Sequence, residues 1–279
     1  MKKIVILTYL ILVELYCVNG QDWCKRKPAN FDKSPFSINH KLSNDRFYHT
    51  ISPDIIKLRN YQIETALFLR HEYYDNNNFN GKDTLSTFNV YSGIKIKHAI
   101  LSNLEIHLSL VDFIVKSDEE ISEYGGDNLR SRVAFGTKYF LYGNNNAKLS
   151  LYNQFTIPLH DTLNILLSAE LRILYSRMLT KKLYLTSNIG GVYINRANYS
   201  FLYALELKWI ASKRLEFFAE FYKNYLETRQ LSIPNKRWLL GVGYYLRENF
   251  YCYSSYENGL DNEDLLNGGR FDIGFTYQF

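Results

Sequence analysis

Phe271-Asp272-Ile273-Gly274-Phe275-Thr276-Tyr277-Gln278-Phe279, at the end of the chain, alternates strictly between apolar and polar side chains. Phe271, Ile273, Phe275, Tyr277 and Phe279 share one face, while Asp272, Gly274, Thr276 and Gln278 share the other. Successive side chains of a strand point to opposite faces, so a two-residue period describes a strand with one greasy and one wettable surface. A membrane barrel wall needs that pair of surfaces, with hydrocarbon outside and water inside. A soluble sandwich strand shows the same local period, so the rest of the sequence has to separate the two.

The other end favours the membrane. Lys2 and Lys3 precede an apolar run from Ile4 to Val13, too short for a comfortable transmembrane helix but suited to an export signal. Val18-Asn19-Gly20 supplies the cleavage positions, so residues 1–20 are expected to leave as a signal peptide, with cleavage before Gln21. Lipidation at Cys17 is disfavoured because Glu14-Leu15-Tyr16 makes a poor lipobox. Export to an oxidising compartment leaves Cys24 and Cys252 as a candidate disulfide, and their positions at opposite ends leave the pairing open.

Composition agrees with a wall built of strands. Aromatic residues make up 16% of the chain, with 24 Tyr and 18 Phe against five Pro, yet the mean hydropathy is negative. A helical membrane protein needs apolar runs of about twenty residues, and none follows the signal segment. High tyrosine with low hydropathy is expected where only alternate residues face lipid and aromatic belts mark both interfaces. The net charge is +5, or +4 once Lys2, Lys3 and Glu14 leave with the signal. Its signs are mixed along the chain, which gives no nucleic-acid footprint.

Turn signals divide the chain after residue 60 into about twelve expected strands. These are Tyr61–Tyr74, Thr84–Lys97, Leu104–Val115, Leu129–Tyr142, Ala147–Pro158, Leu163–Arg177, Lys182–Ile194, Tyr199–Ala211, Arg214–Tyr225, Lys236–Leu246, Asn249–Tyr256 and Gly269–Phe279. Long connections follow the first, third, ninth and eleventh, at 75–82, 116–128, 226–235 and 257–268, and the others are short. Asn76-Asn77-Asn78 and Asn144-Asn145-Asn146 mark loop tips. An even strand count with short turns at one end and longer loops at the other is the layout of an up-and-down outer-membrane barrel with periplasmic termini. The expected fold is therefore all-β: an antiparallel transmembrane β-barrel over residues 59–279, closed by the strand ending in Phe279. Pro28, Pro35 and Pro53 interrupt residues 21–58, which are expected as an irregular periplasmic segment, with partial folding into the barrel mouth left open. Phe275, Tyr277 and Phe279 resemble the terminal signal read by the outer-membrane barrel assembly machinery, so that machinery and outer-membrane lipid are the expected macromolecular partners.

Alternation also assigns the interior. An Arg or Lys at the bilayer midplane costs about 2–4 kcal/mol, so the charged rows must point inward. The expected lumen lining is Glu64, Arg70, Glu72, Lys95, Lys97, Glu105, Arg130, Arg132, Lys138, Lys148, Glu170, Arg172, Glu206, Lys208, Glu216, Glu220, Arg237, Arg270 and Asp272. Both signs are present. Opposed charges could line a polar path for a small solute, or could pair into a network that plugs a narrow barrel, and the sequence leaves both open.

Chemistry is harder to place. His107-Leu108-Ser109 puts a His and a Ser on one face, as a nucleophile and its base would require. That face also carries Glu105 and points inward, where bilayer lipid does not reach, so an outer-membrane lipid hydrolase stands only as a remote alternative. The chain is not expected to be an enzyme. The histidines are scattered, and no CxxC, HExxH or P-loop spacing occurs, so no metal or cofactor is expected. Asp261, Glu263 and Asp264 read as a solvated acidic loop.

Several elements, in order, resemble the outer-membrane transporter family named for the meta-pathway of phenol degradation. Asn44-Asp45-Arg46 stands where that family carries Asp-Arg-Pro-Asp, and Gln62-Ile63-Glu64-Thr65-Ala66 stands for its Gln-x-Glu-x-Gly strand. Leu104-Glu105-Ile106-His107-Leu108 is similar to its Glu-x-Arg segment. Gly126-Asp127, Lys138 to Leu141 and Thr156-Ile157-Pro158-Leu159 follow its next strands. Leu183 to Gly191 and Phe217-Phe218-Ala219-Glu220-Phe221-Tyr222 match two later ones. Phe47-Tyr48 replaces the Pro-Asp pair, and Ala66 replaces a glycine. The resemblance implies a transporter-type barrel with no catalytic residues and a family-level link to aromatic, hydrophobic solutes. A plugged barrel acting through its outer loops is the competing expectation.

Overall fold

The computed structural model describes residues 42, 50–75, 84–116, 132–144, 146–159, 167–194, 198–225, 234–260 and 269–279. The signal-peptide reading of residues 1–20 lies outside the described residues. Twelve strands follow in order: β1 (Tyr61–Asp75), β2 (Thr84–Leu101), β3 (Leu104–Lys116), β4 (Arg132–Gly143), β5 (Ala147–Pro158), β6 (Ser168–Thr180), β7 (Leu183–Ile194), β8 (Asn198–Ile210), β9 (Leu215–Tyr225), β10 (Pro234–Arg247), β11 (Phe250–Gly259) and β12 (Arg270–Gln278). Each pairs antiparallel with its neighbours in sequence, and β1 pairs with β12 to close the barrel. The closing register runs from Gln62 opposite Gln278 to Arg70 opposite Arg270. Tyr61 and Phe279 exchange both backbone hydrogen bonds at 3.0 Å, which holds the two ends of the barrel chain together.

The expected up-and-down barrel is thus the observed one. Two details differ. β6 begins at Ser168, with Leu167 outside the ladder. β11 runs on through Gly259, so Glu257 lies in a strand and not in a loop.

The wall separates two surfaces. On β12, Asp272 and Thr276 are buried while Phe271, Ile273, Phe275 and Tyr277 are exposed. Leu171, Ile173, Ile189, Leu205 and Leu240 continue that outer apolar surface around the barrel. Rings gather where the wall meets the short turns. Tyr61 stacks on His98 at 4.2 Å and on Phe279 at 5.8 Å, and Trp209 stacks on Phe217 at 5.6 Å. Amphipathic rings of this kind sit at the headgroup level.

The short turns are closed by side chains. Asn144 Oδ1 accepts from the N–H groups of Asn146 and Ala147 at 2.8 and 2.9 Å. Thr180 Oγ1 accepts from Lys182 and Leu183 at 3.3 and 3.1 Å, and Ser212 Oγ accepts from Arg214 and Leu215 at 3.2 and 3.1 Å. Asn, Thr and Ser are suited to this because a short polar side chain can replace a backbone acceptor two or three residues on. Bulges lie just before the turns that follow β4, β6 and β10, at Phe140/Tyr142, Met178/Thr180 and Tyr245/Arg247, where an extra residue bends the strand into the rim.

The outer surface is testable at mid-strand. Leu205→Arg, on the outward face of β8, is predicted to lower unfolding free energy by about 2–4 kcal/mol in lipid vesicles. Urea titration followed by tryptophan fluorescence measures it, and an unchanged midpoint would show that Leu205 does not meet hydrocarbon.

Candidate functional site

The inward rows converge on one interior. Glu64, Lys95, Lys97, Glu105, Lys138, Arg172, Glu206, Glu216, Glu220, Arg237 and Asp272 are buried, and Arg132, Lys148, Glu170, Lys208 and Arg270 are partly buried. The side chains of Arg70 and Glu72, and the whole of Arg130, lie outside the described residues.

Charges out of water need partners, because an unpaired buried ion costs several kcal/mol. Here they are paired along and across strands. Lys97 Nζ lies 2.6 Å from Glu64 Oε1, which also accepts from Gln62 Nε2 at 2.8 Å. Arg172 pairs with Glu170, and Lys208 lies 3.7 Å from Glu206. Arg270 holds Asp272 in a forked bond, Nε to Oδ1 at 2.8 Å and Nη2 to Oδ2 at 3.0 Å. It also reaches Glu257 at 2.8 Å, and its guanidinium lies 4.9 Å from the Phe68 ring centroid. Arg237 binds the same Glu257. Glu257 is 1% exposed and joins both arginines. The polar residues from Glu257 onward read as an outer loop in the sequence, yet the alternation of Tyr251, Tyr253 and Ser255 continues through Glu257 and is the signal that identifies it.

A second set of interior contacts comes from the segment before β1. Of residues 21–58, Leu42 and 50–58 are described, and Leu42, Thr50, Ile51 and Ile56 are buried against inward-facing side chains. The Ile56 N–H donates to Glu105 Oε2 at 3.0 Å. Lys138 Nζ donates to the Asp54 carbonyl at 3.1 Å and lies 3.4 Å from Glu105 Oε1. Lys148 pairs with the Asp54 carboxylate, and Ser150 Oγ donates to the Pro53 carbonyl at 2.6 Å. The Asn188 amide, turned to satisfy both its ends, donates to Ile51 O at 3.0 Å and accepts from Ile51 N at 2.5 Å. The Thr50 N–H donates to Glu220 Oε2 at 3.2 Å. The segment therefore crosses the interior from β3 past β4, β5 and β7 to β9. An irregular backbone at membrane depth is tolerated where its polar groups are satisfied inside the protein, and these side chains do that.

The interior also has an aromatic side. Phe218, Tyr222, Leu239, Tyr245, Tyr251 and Tyr253, on β9 to β11, are buried together with Ala204, and Leu42 packs among them. Tyr251 and Tyr253 lie 6.2 Å apart, and Phe218 meets Tyr253 edge-on at 6.5 Å. Glycines make the room. The Phe218 ring lies where a Cβ on Gly241 would stand, and Tyr251 lies over Gly243 in the same way. Rings laid flat over glycine cover the backbone with little intrusion into the interior. Tyr251 OH donates to Glu216 Oε1 at 2.7 Å, so rings and charges share these strands.

His107 and Ser109 are buried on the inner face. The His107 ring stacks on Tyr152 at 5.0 Å and fills the space over Gly136, a packing arrangement away from the bilayer surface. Cys252 is a free thiol with Sγ 3.4 Å from the Tyr244 carbonyl, between the inward-facing Tyr251 and Tyr253. Cys24 lies outside the described residues. Phe275, Tyr277 and Phe279 are exposed on the outer face. Among the described residues, no group of His, Cys, Asp and Glu is arranged to hold a metal.

Removing the carboxylate of Glu257 leaves Arg237 and Arg270 sharing less charge in a dry site. Glu257→Gln is predicted to destabilise the refolded barrel by about 3 kcal/mol, read as a lower urea midpoint. A shift within error would mean that water already screens this cluster.

No protein-family model matches the sequence, and no curated protein matches it. Solved structures do. An outer membrane channel from Pseudomonas putida F1 superposes with a TM-score of 0.57 at 11% identity, covering 85% of this chain and 100% of that one. The KdgM porin gives 0.49 at 11% identity over 77% and 99% of the two chains. Outer membrane phospholipase A from Escherichia coli gives 0.45 at 10% over 86% and 95%. At these identities the likeness is one of fold. The closed twelve-strand wall with its apolar outer face is a transmembrane-type β-barrel, the fold it shares with the Pseudomonas putida outer membrane channel.

Proposed function

We propose that the barrel carries small solutes across the outer membrane, past its own segment at residues 50–56. The carrying observation is the mixed interior: paired charges line it, and on β9 to β11 the same strands that carry Arg237, Glu257 and Glu216 hold an aromatic cluster on which Leu42 rests. The inward charges serve as the lumen lining, and holding them in pairs keeps a polar path without a strong net field. The wall of Phe218, Tyr222, Tyr251 and Tyr253 offers rings and hydroxyls to a solute with an apolar or aromatic body and one polar group. Leu42 marks where that body would lie. The resemblance to the phenol meta-pathway transporters fits this solute class, and the barrel fold shared with the Pseudomonas putida channel supports passage. In this reading the protein acts as a channel and not as an enzyme, with Ser109 and His107 as packing residues.

One observation favours a second reading. The segment at 50–56 is bonded to β3, β4, β5, β7 and β9, which would suit a sealed barrel that works through its long connections.

Planar-bilayer conductance separates the two. The refolded barrel is predicted to conduct weakly, and a variant lacking residues 21–56 to conduct severalfold more. Liposome swelling with a small aromatic acid should slow in Tyr253→Ala, while swelling with a sugar of similar size should not. A barrel sealed in both assays, with and without the segment, would remove the channel reading.

A further inference from the structure

The short-turn rim carries a one-sided display of basic residues that the interior does not use. Lys181 and Lys182 occupy the β6–β7 turn, Lys213 and Arg214 the β8–β9 turn, and Arg247 the end of β10. Lys57 and Arg59 lie in the turn before β1, where Arg59 adopts φ 67° and Asn60 N bonds Lys57 O at 3.0 Å. All of these are exposed. Glu248 is the acidic residue among these described turn positions. The remaining short turns show Ser102 and Asn103 between β2 and β3, and Asn144 and Asn146 between β4 and β5, all uncharged. Among the described turn positions, the basic residues thus form an arc from β6 past β12 to β1, and the turns on the other side carry no charge.

The arc is held in place. Thr180 and Ser212 fix the two turns that carry Lys182 and Arg214. The Lys182 carbonyl accepts from Ile210 N at 2.8 Å, and the Arg214 carbonyl accepts from Tyr245 N at 2.8 Å. Neighbouring turns are therefore joined through the sheet. Between the two lysine-bearing turns, on the outer wall, Trp209 stacks on Phe217, with Leu183 as the register partner of Trp209 on the other side. Tyr244 follows on β10, opposite Leu215. These rings are exposed, and rings of this kind settle at the headgroup level. That places the adjoining lysines and arginines beside lipid phosphates. Arg177 is exposed on β6, three residues before the turn, with Ala147 and Leu185 as its register partners.

We propose that this arc docks the phosphate headgroups of anionic phospholipid in the leaflet at the short-turn end. Short turns face the periplasm in barrels of this type, which makes the partner a periplasmic-leaflet lipid such as phosphatidylglycerol. Basic clusters beside a membrane surface attract anionic headgroups over roughly a Debye length. A soluble acidic protein would meet the turn tips but would not need the aromatic pair set between them. The proposal does not depend on what passes through the lumen.

Native mass spectrometry of the full refolded chain, in micelles doped with phosphatidylglycerol or phosphatidylethanolamine, tests it. The expected result is preferential retention of phosphatidylglycerol that falls as ionic strength is raised. K181Q/K182Q/K213Q/R214Q should reduce that retention severalfold, and K181R/K182R/K213R should keep it. Heat-dependent gel mobility confirms that each variant is folded, and the salt titration of the unmodified chain stands even if one is not. Equal retention of both lipids, salt-independent retention, or full retention by a folded glutamine variant would overturn the proposal.

Discussion

Hydrocarbon offers no partner to a backbone N–H or C=O, so every such group in the spanning region must be satisfied within the chain. A sheet meets that demand only when it has no edge. Here the edge disappears where β1 meets β12, along the register from Gln62–Gln278 to Arg70–Arg270, with Tyr61 and Phe279 tied at the rim. Much else follows from that seam. Antiparallel closure between the first and last strands requires an even count, which puts both ends of the barrel at the short-turn side. The closed wall then gives each strand one face toward lipid and one toward the interior, so alternation becomes a requirement at every position.

The interior inherits a burden from that arrangement. Polar side chains kept from lipid are crowded together, and most are shielded from bulk water. They are stable there because they meet each other, as Arg237, Arg270, Glu257 and Asp272 do. Another group is committed to the segment before β1. Glu105, Glu220, Lys138, Ser150 and Asn188 supply to an irregular backbone the partners that a neighbouring strand would supply to a regular one. One set of inward side chains thus stabilises the wall and positions the threaded segment. The aromatic side of the interior uses glycine for a different end, since Gly241 and Gly243 let Phe218 and Tyr251 lie close to the sheet.

The two rims differ in kind. The short turns are closed by Asn144, Thr180 and Ser212 and joined through the ladder, so what they carry is held at a defined depth below the aromatic belt. The connections at the other end are mostly longer, and two of them are rich in acid: Asp118, Glu119, Glu120, Glu123 and Asp127 after β3, and Asp261, Glu263 and Asp264 after β11. A chain with basic turns and acidic outer connections has an electrical direction as well as a topological one.

The barrel could be read from the residues alone because its signal is local. Period-two alternation in β12, turn residues such as Asn144 and Ser212, and the expense of charge in lipid each act within a few residues, and together they assigned strand count, order and inward face. Glu257 escaped only because the polar residues after Tyr256 looked like a loop, when the strand ran three residues further. The course of residues 50–56 could not be read in that way. Their partners lie far along the chain, Glu105 being 49 positions after Ile56 and Glu220 being 170 positions after Thr50, and prolines with charged neighbours describe a solvated tail as well as a threaded one. Which acid meets which base is equally non-local, since it depends on the stagger between strands. Sequence sorted the side chains between lipid and interior; closure of the sheet chose their partners.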